Sequence, residues 1–424
     1  MKSENLKNIR IFADMLINEQ TRDFIRQHEN DDVRRLALQG TKDPEVDLMV
    51  ALQQIAGRQT ARRKLPSWAA VDGLFYPPHL NMEQCSSEQT ARYKASLLKG
   101  GQRYVDLTGG FGVDFYWMSQ GFQHRFYVER DEALCAIAEH NFRLLGLSCF
   151  VNCRTTATYL TEMEHADVVF LDPARRDEKG ARTFGIEDCT PNVLELLPLL
   201  RMKADTIVLK LSPMLDWRKA VSDIEVISDK REVVSEVHIV SVDNECKELL
   251  LILKNEPREH LRLVCVNNDS VFEIVRPLRT ASPLPTDYEF APYGLKTLPS
   301  DADANLFLYE PNASIMKAGC FDALEERYLV KQISQNSHLF LSADEIKGFP
   351  GRAFQIIATS SMNKKELKPA LANISQANIA VRNFPLTAQQ LRQKLKLRDG
   401  GDVYIFATTT ADGGHKLFIC RKIG

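Results

Sequence analysis

The sequence predicts an α/β protein: a mostly parallel sheet wound with helices, preceded by a helical N-terminal region and followed by a small α+β unit. Three observations carry this. From Arg103 to Leu253, apolar runs of strand length alternate with segments of helical periodicity. One run ends at Asp106 in a glycine-rich turn, Thr108-Gly109-Gly110-Phe111-Gly112, that opens the next helix. The C-terminal segment repeats the alternation as strand, helix, strand, helix, strand, strand.

Residues up to about Met82 read as helical. Ile9, Phe12, Met15 and Leu16, then Val46, Met49, Val50 and Leu52, recur on one helical face. Gly40 to Pro44 breaks the pattern, with Asp43 expected as an N-cap and Pro44 in the first turn. Arg58, Arg62, Arg63 and Lys64 precede Trp68. They read as a solvated helix end beside an anchored aromatic; the alternative is a grip on a polynucleotide backbone with Trp68 stacked on a base. Ser86 or Ser87 is expected to cap a helix from Thr90 to Leu98.

In the centre, strands are expected at Tyr104–Leu107, Phe126–Glu129, Phe150–Asn152, Val168–Asp172 and Ile207–Leu211. Val237–Val242 and Glu248–Leu253 read as an antiparallel pair. Ligands of such a sheet sit at the carboxyl ends of its strands. Gly110 and Gly112 let backbone approach a ligand closely, since glycine has no Cβ. Glu129 ends a strand about 20 residues after the turn, a spacing at which an acid accepts bonds from ribose hydroxyls. Together they predict a bound nucleoside cofactor. Phe115 stands where a dinucleotide fold needs its third glycine, which argues against a dinucleotide.

The run Asp106-Leu107-Thr108-Gly109-Gly110-Phe111-Gly112 matches D-x-T-x-G-x-G, and the strand at Val168 ends in Asp172-Pro173-Ala174-Arg175. In both, the chain resembles the class I S-adenosylmethionine-dependent methyltransferases. Arg382–Leu386 and Leu391–Asp402 resemble the THUMP-like C-terminal domain carried by a bacterial family of these enzymes. The resemblance implies a Rossmann-like methyltransferase sheet, S-adenosyl-L-methionine as cofactor and direct in-line methyl transfer. It places Asp106 toward the cationic end of the cofactor and Glu129, with its neighbour Arg130, on the ribose side. Thr108, Gly110 and Gly112 line the turn, and Thr155 aligns where relatives carry an acid near the adenine. Several RNA-directed relatives fold a segment upstream of the first motif over the cofactor, which makes Gln84, Ser86, Ser87 and Thr90 candidate contacts. A plain capped helix is the other reading of that segment.

Asp172, which also borders the cofactor, Pro173 and Arg175 fall at the acceptor-facing loop. Amine-directed relatives read [DNS]-P-P-[YFW]; here Ala174 and Arg175 replace the second proline and the aromatic. Arg175 and Arg176 suit stacking on a base or clamping a phosphate, against a surface ion pair with Asp177 or Glu178. Ser212 stands near the fifth strand end, where pyrimidine C5 chemistry needs a thiolate. Cys189 lies in the loop beyond Arg176 without motif support.

The chain has 424 residues and a formal net charge of -2, so nucleic-acid binding must rest on local patches. Lys364, Lys365 and Lys368, with Arg392, Lys394, Lys396 and Arg398, are candidate phosphate contacts, and together with the THUMP-like resemblance they make RNA the expected partner. Nine cysteines without a C-x-x-C pair read as reduced thiols, with no metal site. No apolar signal region or long apolar run is present, which predicts a cytoplasmic protein without membrane attachment. The expected division is 1–82 helical, 83–255 methyltransferase, 256–332 a small β-rich, ferredoxin-like connection, and 333–424 THUMP-like. Competing readings are a non-catalytic cofactor- and RNA-binding module, or a methyltransferase of a protein or small molecule.

Overall fold

The computed structural model describes residues 17–175, 185–228, 233–255, 259–277 and 306–423. The chain divides into two compact units, Met1–Glu236 with Leu249–Arg258, and Val237–Glu248 with Glu259–Gly424.

The first unit opens with helices α1 (Glu19–His28), α2 (Val33–Gln39), α3 (Leu48–Lys64), α4 (Pro66–Ala69), α5 (His79–Gln84) and α6 (Glu88–Ser96). The expected helical face at Ile9–Leu16 lies outside the described residues. Asp43 does not cap α3. Asp47, immediately before the apolar run, accepts the Val50 N–H at 3.1 Å, while Asp43 closes a local turn on the Glu45 N–H at 2.9 Å. Ser87 rather than Ser86 caps α6, accepting the Thr90 N–H at 3.2 Å. Trp68 is fully buried, edge-on to Phe111 and Tyr116 at 5.2 and 5.6 Å, so it has no face for a base. Arg58 pairs with Asp72 at 2.9 Å and Arg62 with Glu29 at 3.0 Å, which is the solvated-end reading.

Five parallel strands form the core of this unit: β1 (Gly101–Asp106), β2 (Phe122–Glu129), β3 (Phe150–Cys153), β4 (Ala166–Leu171) and β5 (Ala204–Leu211), in the order β5-β4-β1-β2-β3. Helices α7 (Val113–Met118), α8 (Glu132–Leu144), α9 (Thr156–Glu162), α10 (Val193–Lys203) and α11 (Trp217–Ile227) lie along the chain between or after them. Parallel strands need such crossovers and are buried on both faces, as the unbroken apolar run Val168–Leu171 shows. In α8, Leu134, Ile137, Ala138 and Phe142 recur every three to four residues and are buried, and Asp131 caps it through the Ala133 and Leu134 N–H groups. Strands β6 (Val234–Val242) and β7 (Glu245–Lys254) are ladder neighbours joined by Asp243 and Asn244, both at positive φ as a tight hairpin turn requires. Leu249–Lys254 of β7 runs antiparallel to β5.

The second unit contains the antiparallel hairpin β8 (His260–Asn267) and β9 (Ser270–Pro277). It also holds β10 (Phe307–Pro311), α12 (Ala313–Ala318), α13 (Phe321–Tyr328), β11 (Lys331–Gln332), β12 (Phe340–Ser342), β13 (Gly351–Ser360), α14 (Lys364–Ala370), β14 (Asn378–Arg382), α15 (Ala388–Leu395), β15 (Val403–Thr409) and β16 (His415–Ile423). The strands from β10 onward form a seven-stranded sheet ordered β11-β12-β10-β13-β16-β15-β14. Period-two patterning sorts its two cores. Phe406, Phe418 and Cys420 join Leu308 and Phe354 on one side, while Ile405, Ala407, Leu417 and Ile419 pack with Leu391 and Leu397 on the other. Among the described residues no helix is long and apolar enough to cross a membrane.

Candidate cofactor and acceptor site

The carboxyl ends of β1, β2 and β4 meet at the glycine turn. Asp106 is buried and accepts the Thr108 N–H at 2.9 Å, which bends the chain out of β1. The three glycines differ in purpose. A Cβ on Gly109 would lie 2.1 Å from the Tyr127 ring, and one on Gly112 (φ 87°) would lie 2.5 Å from Phe142 Cζ. Both are bare because an aromatic packs against them. Gly110 (φ 54°) meets only the Thr108 carbonyl oxygen, at 3.8 Å, and so faces open space. The sequence singled out Gly110 and Gly112 and missed Gly109, whose reason lies on the neighbouring strand.

Glu129 ends β2 and points into the turn. Its Oε2 accepts the Gly110 N–H at 3.0 Å, and its Oε1 accepts those of Arg130 and Asp131 at 2.8 and 2.9 Å. Arg130 itself is exposed and offers its backbone here. Tyr127 locks the turn from below by donating its hydroxyl to the Gly110 carbonyl at 2.5 Å. Thr155 is exposed and caps α9 through the Thr158 N–H. Gln84 is exposed at the end of α5, and the buried Thr90 hydroxyl donates to the Ser87 carbonyl at 3.2 Å.

The loop after β4 is tied to the same turn. The Asp172 N–H donates to Thr108 Oγ1 at 2.6 Å. Pro173 is buried, and Ala174–Arg175 pairs antiparallel with Cys189–Thr190. The Arg175 side chain, and Arg176 with the acids beyond it, lie outside the described residues. Cys189 is buried, and Ser212 Oγ accepts the Met214 N–H at 3.2 Å.

Three charged residues at this site were not singled out in the sequence. Lys210, on β5, reaches Asp172 Oδ2 at 2.5 Å and Asp114 at 3.5 Å. Asp114, in the first turn of α7, is 3.2 Å from Lys94 of α6, and Ser86 donates to it at 2.7 Å. The available signal was a lysine inside the apolar strand Ile207–Leu211. Lys94 gives no such signal, since a lysine in a helix ordinarily reads as solvated.

Burial sets the electrostatics. Desolvation pushes the Asp106 carboxyl well above the usual range, against the Thr108 N–H, and the charges of Asp114, Asp172 and Glu129 raise it further. Burial also raises Asp114, but Lys94, Lys210 and the Ser86 hydroxyl outweigh it and hold that carboxyl low. Asp172 ends up raised: burial exceeds the opposing pull of Lys210, with Asp114 adding to the rise. Gly110 offers bare backbone beside open space, and Glu129 Oε2, which accepts only the Gly110 amide, retains a lone pair. Two cavities elsewhere, of about 430 Å³ around Tyr76 and Arg58 and about 380 Å³ around Phe349 and Arg352, share no residue with this rim.

Residues 351–422 match the family described as THUMP domain-like, and residues 307–350 match a ferredoxin-like domain family. A crystal structure from Porphyromonas gingivalis W83, described there as a proposed methyltransferase, is 29% identical over 98% of each chain with a TM-score of 0.79. A class I S-adenosylmethionine-dependent methyltransferase candidate from Listeria monocytogenes is 12% identical, covering 59% of this chain and 94% of its own, with a TM-score of 0.37. An rRNA methylase from Streptococcus thermophilus is 13% identical, covering 39% and 94%, with a TM-score of 0.30. No curated protein matches the chain. The protein has the Rossmann-like fold of the class I S-adenosylmethionine-dependent methyltransferases, with a THUMP domain-like segment at its C-terminus.

Proposed function

We propose that the protein is an S-adenosylmethionine-dependent methyltransferase that modifies RNA by direct in-line transfer. The observation that carries this is the open face of Gly110, bordered by the Glu129 carboxylate and joined through Thr108 to Asp172. S-adenosylmethionine, when bound, supplies an activated methyl group and its own leaving group. Gly110 backbone and Glu129 would hold the nucleoside, with Asp106 on the side of the cationic tail. Asp172 and the Pro173 carbonyl receive hydrogen bonds from a nucleophilic N–H, and Asp172 takes its proton. A carboxyl that burial has raised is suited to accepting one. Holding the acceptor in line and excluding water supplies the remaining rate enhancement.

RNA as substrate is supported by the THUMP domain-like match and by the exposed cations Lys364, Lys365, Lys368, Lys394, Lys396 and Arg398. Replacement of the amine motif's second proline and aromatic by Ala174 and Arg175 keeps a second reading open, a binding module without turnover. Transfer of labelled methyl from S-adenosylmethionine into total RNA, followed by nucleoside mass spectrometry, decides. A single methylated nucleoside identifies the reaction. Calorimetric cofactor binding without transfer to RNA, DNA or protein establishes the module instead.

A further inference from the structure

Four alternating charges run from the interior of the first unit to the site. Lys94 lies 3.2 Å from Asp114, Asp114 lies 3.5 Å from Lys210, and Lys210 lies 2.5 Å from Asp172. Side-chain accessibility rises along the row, from 0% at Lys94 through 10% and 11% to 36% at Asp172. Ser86 braces the inner end, donating to Asp114 at 2.7 Å and accepting from Lys94 at 3.2 Å. Each buried ion carries a desolvation cost that an apolar side chain would avoid. Stability alone therefore does not account for such a row. Its single accessible member is the carboxylate of the acceptor loop, which is where the arrangement has its effect.

We propose that Lys210 is a positioning residue that holds the Asp172 carboxylate at the strand-end rim, and that the buried Lys94–Asp114 pair fixes Lys210 in turn. Helix α6, upstream of the glycine turn, thereby sets the state of the group that receives the acceptor. This rests on the role given to Asp172 above. The charged groups facing Asp172 are Lys210 from β5, Asp114 from α7, Lys94 from α6 and Asp106 from β1. The Cys85 thiol, ahead of α6, faces Lys210 and Asp114. Without the Lys210 charge, burial and Asp114 both drive Asp172 toward its neutral form, opposed chiefly by the more distant Lys94.

The test titrates Asp172 directly by NMR of isotope-labelled aspartate carboxyls in the full chain, assigned with Asp172→Asn. Lys210→Met should raise the midpoint by about one pH unit or more, a tenfold change in proton affinity. Lys210→Arg should leave it near wild type, and Lys94→Met should raise it by less. The acid limb of methyl transfer into total RNA should move upward with the midpoint. Should Lys210→Met fail to fold, Lys210→Gln and Lys94→Met are read in the same way. An unchanged midpoint in folded variants overturns the proposal. A midpoint that moves while no variant, wild type included, methylates RNA upholds the positioning role and removes the RNA reading alone.

Discussion

The backbone N–H of Asp172 donates to the side-chain oxygen of Thr108 at 2.6 Å, joining the loop after β4 to the turn after β1. One hydroxyl thus couples the place where a cofactor would sit to the place where an acceptor would arrive. Thr108→Val keeps the shape and removes the acceptor, leaving that amide unpaired at a cost of about 1–3 kcal/mol. Thr108→Ser should retain most of the stability. Urea unfolding measures the difference, and S-adenosylmethionine-dependent transfer should fall in the valine variant only.

The glycines separate packing from binding. Gly112→Ala places a methyl group 2.5 Å from Phe142 Cζ at φ 87°, and should destabilise the fold by about 1–3 kcal/mol. Gly110→Ala meets open space and incurs only the left-handed backbone penalty of about 1–2 kcal/mol. It should remain folded yet lose cofactor affinity. Thermal unfolding beside calorimetry with S-adenosylmethionine distinguishes the two variants.

Glu129 accepts three backbone amides, and its charge strengthens any bond from a ribose hydroxyl. Glu129→Gln should weaken S-adenosylmethionine binding by roughly tenfold to a hundredfold, the equivalent of about 1.5–3 kcal/mol for a hydrogen bond to a charged group. Unchanged affinity in calorimetry would remove Glu129 from the cofactor site.

Much of this was legible in the chain. Central strands announce themselves because both faces are buried, so Val168–Leu171 reads as an unbroken apolar run, and Ile207–Leu211 as one interrupted only by Lys210, within longer strands. The start of β1 was missed because Gly101, Gln102 and Arg103 sit at its accessible end and carry no such signal. Asp106, Glu129 and Asp172 could be placed together from the sequence because strand ends fix where carboxylates emerge. Lys94, Asp114 and Gly109 were not. Their partners come from other elements, and nothing local distinguishes a buried helix lysine from a solvated one. The helix start at Asp43 failed for a different reason: two aspartates precede the same apolar run, and the nearer one makes the cap.

Asp114 predicts a pH dependence. Lys94 and Lys210 overcome its burial and hold it low, so the folded chain binds fewer protons there than the unfolded one. Its contribution is complete above the ordinary aspartate range and is lost as pH falls through the folded value. Asp114→Asn, which also strips Lys94 of its counter-ion, should cost about 3–5 kcal/mol at neutral pH. The gap to wild type should narrow on acidification, as urea unfolding across pH will show.

Lys394 and Lys396 are exposed at the end of α15, whereas Arg392 is engaged with Asp399 at 2.5 Å. Reversing both lysines to glutamate should weaken RNA binding and reduce the slope of log affinity against log salt by about one for each phosphate that is no longer neutralised. An unaltered slope would place the RNA surface elsewhere.

Trp68 bears on how the protein can be dissected. Its indole fills the space under Phe111, inside the glycine turn, and beside Tyr116 on the following helix. A fragment pared back to the sheet and its crossover helices would leave a hole the size of an indole directly beneath the turn, and the loop would sag into it. Any shortened version of this protein that preserves the loop has to keep its helical forepart.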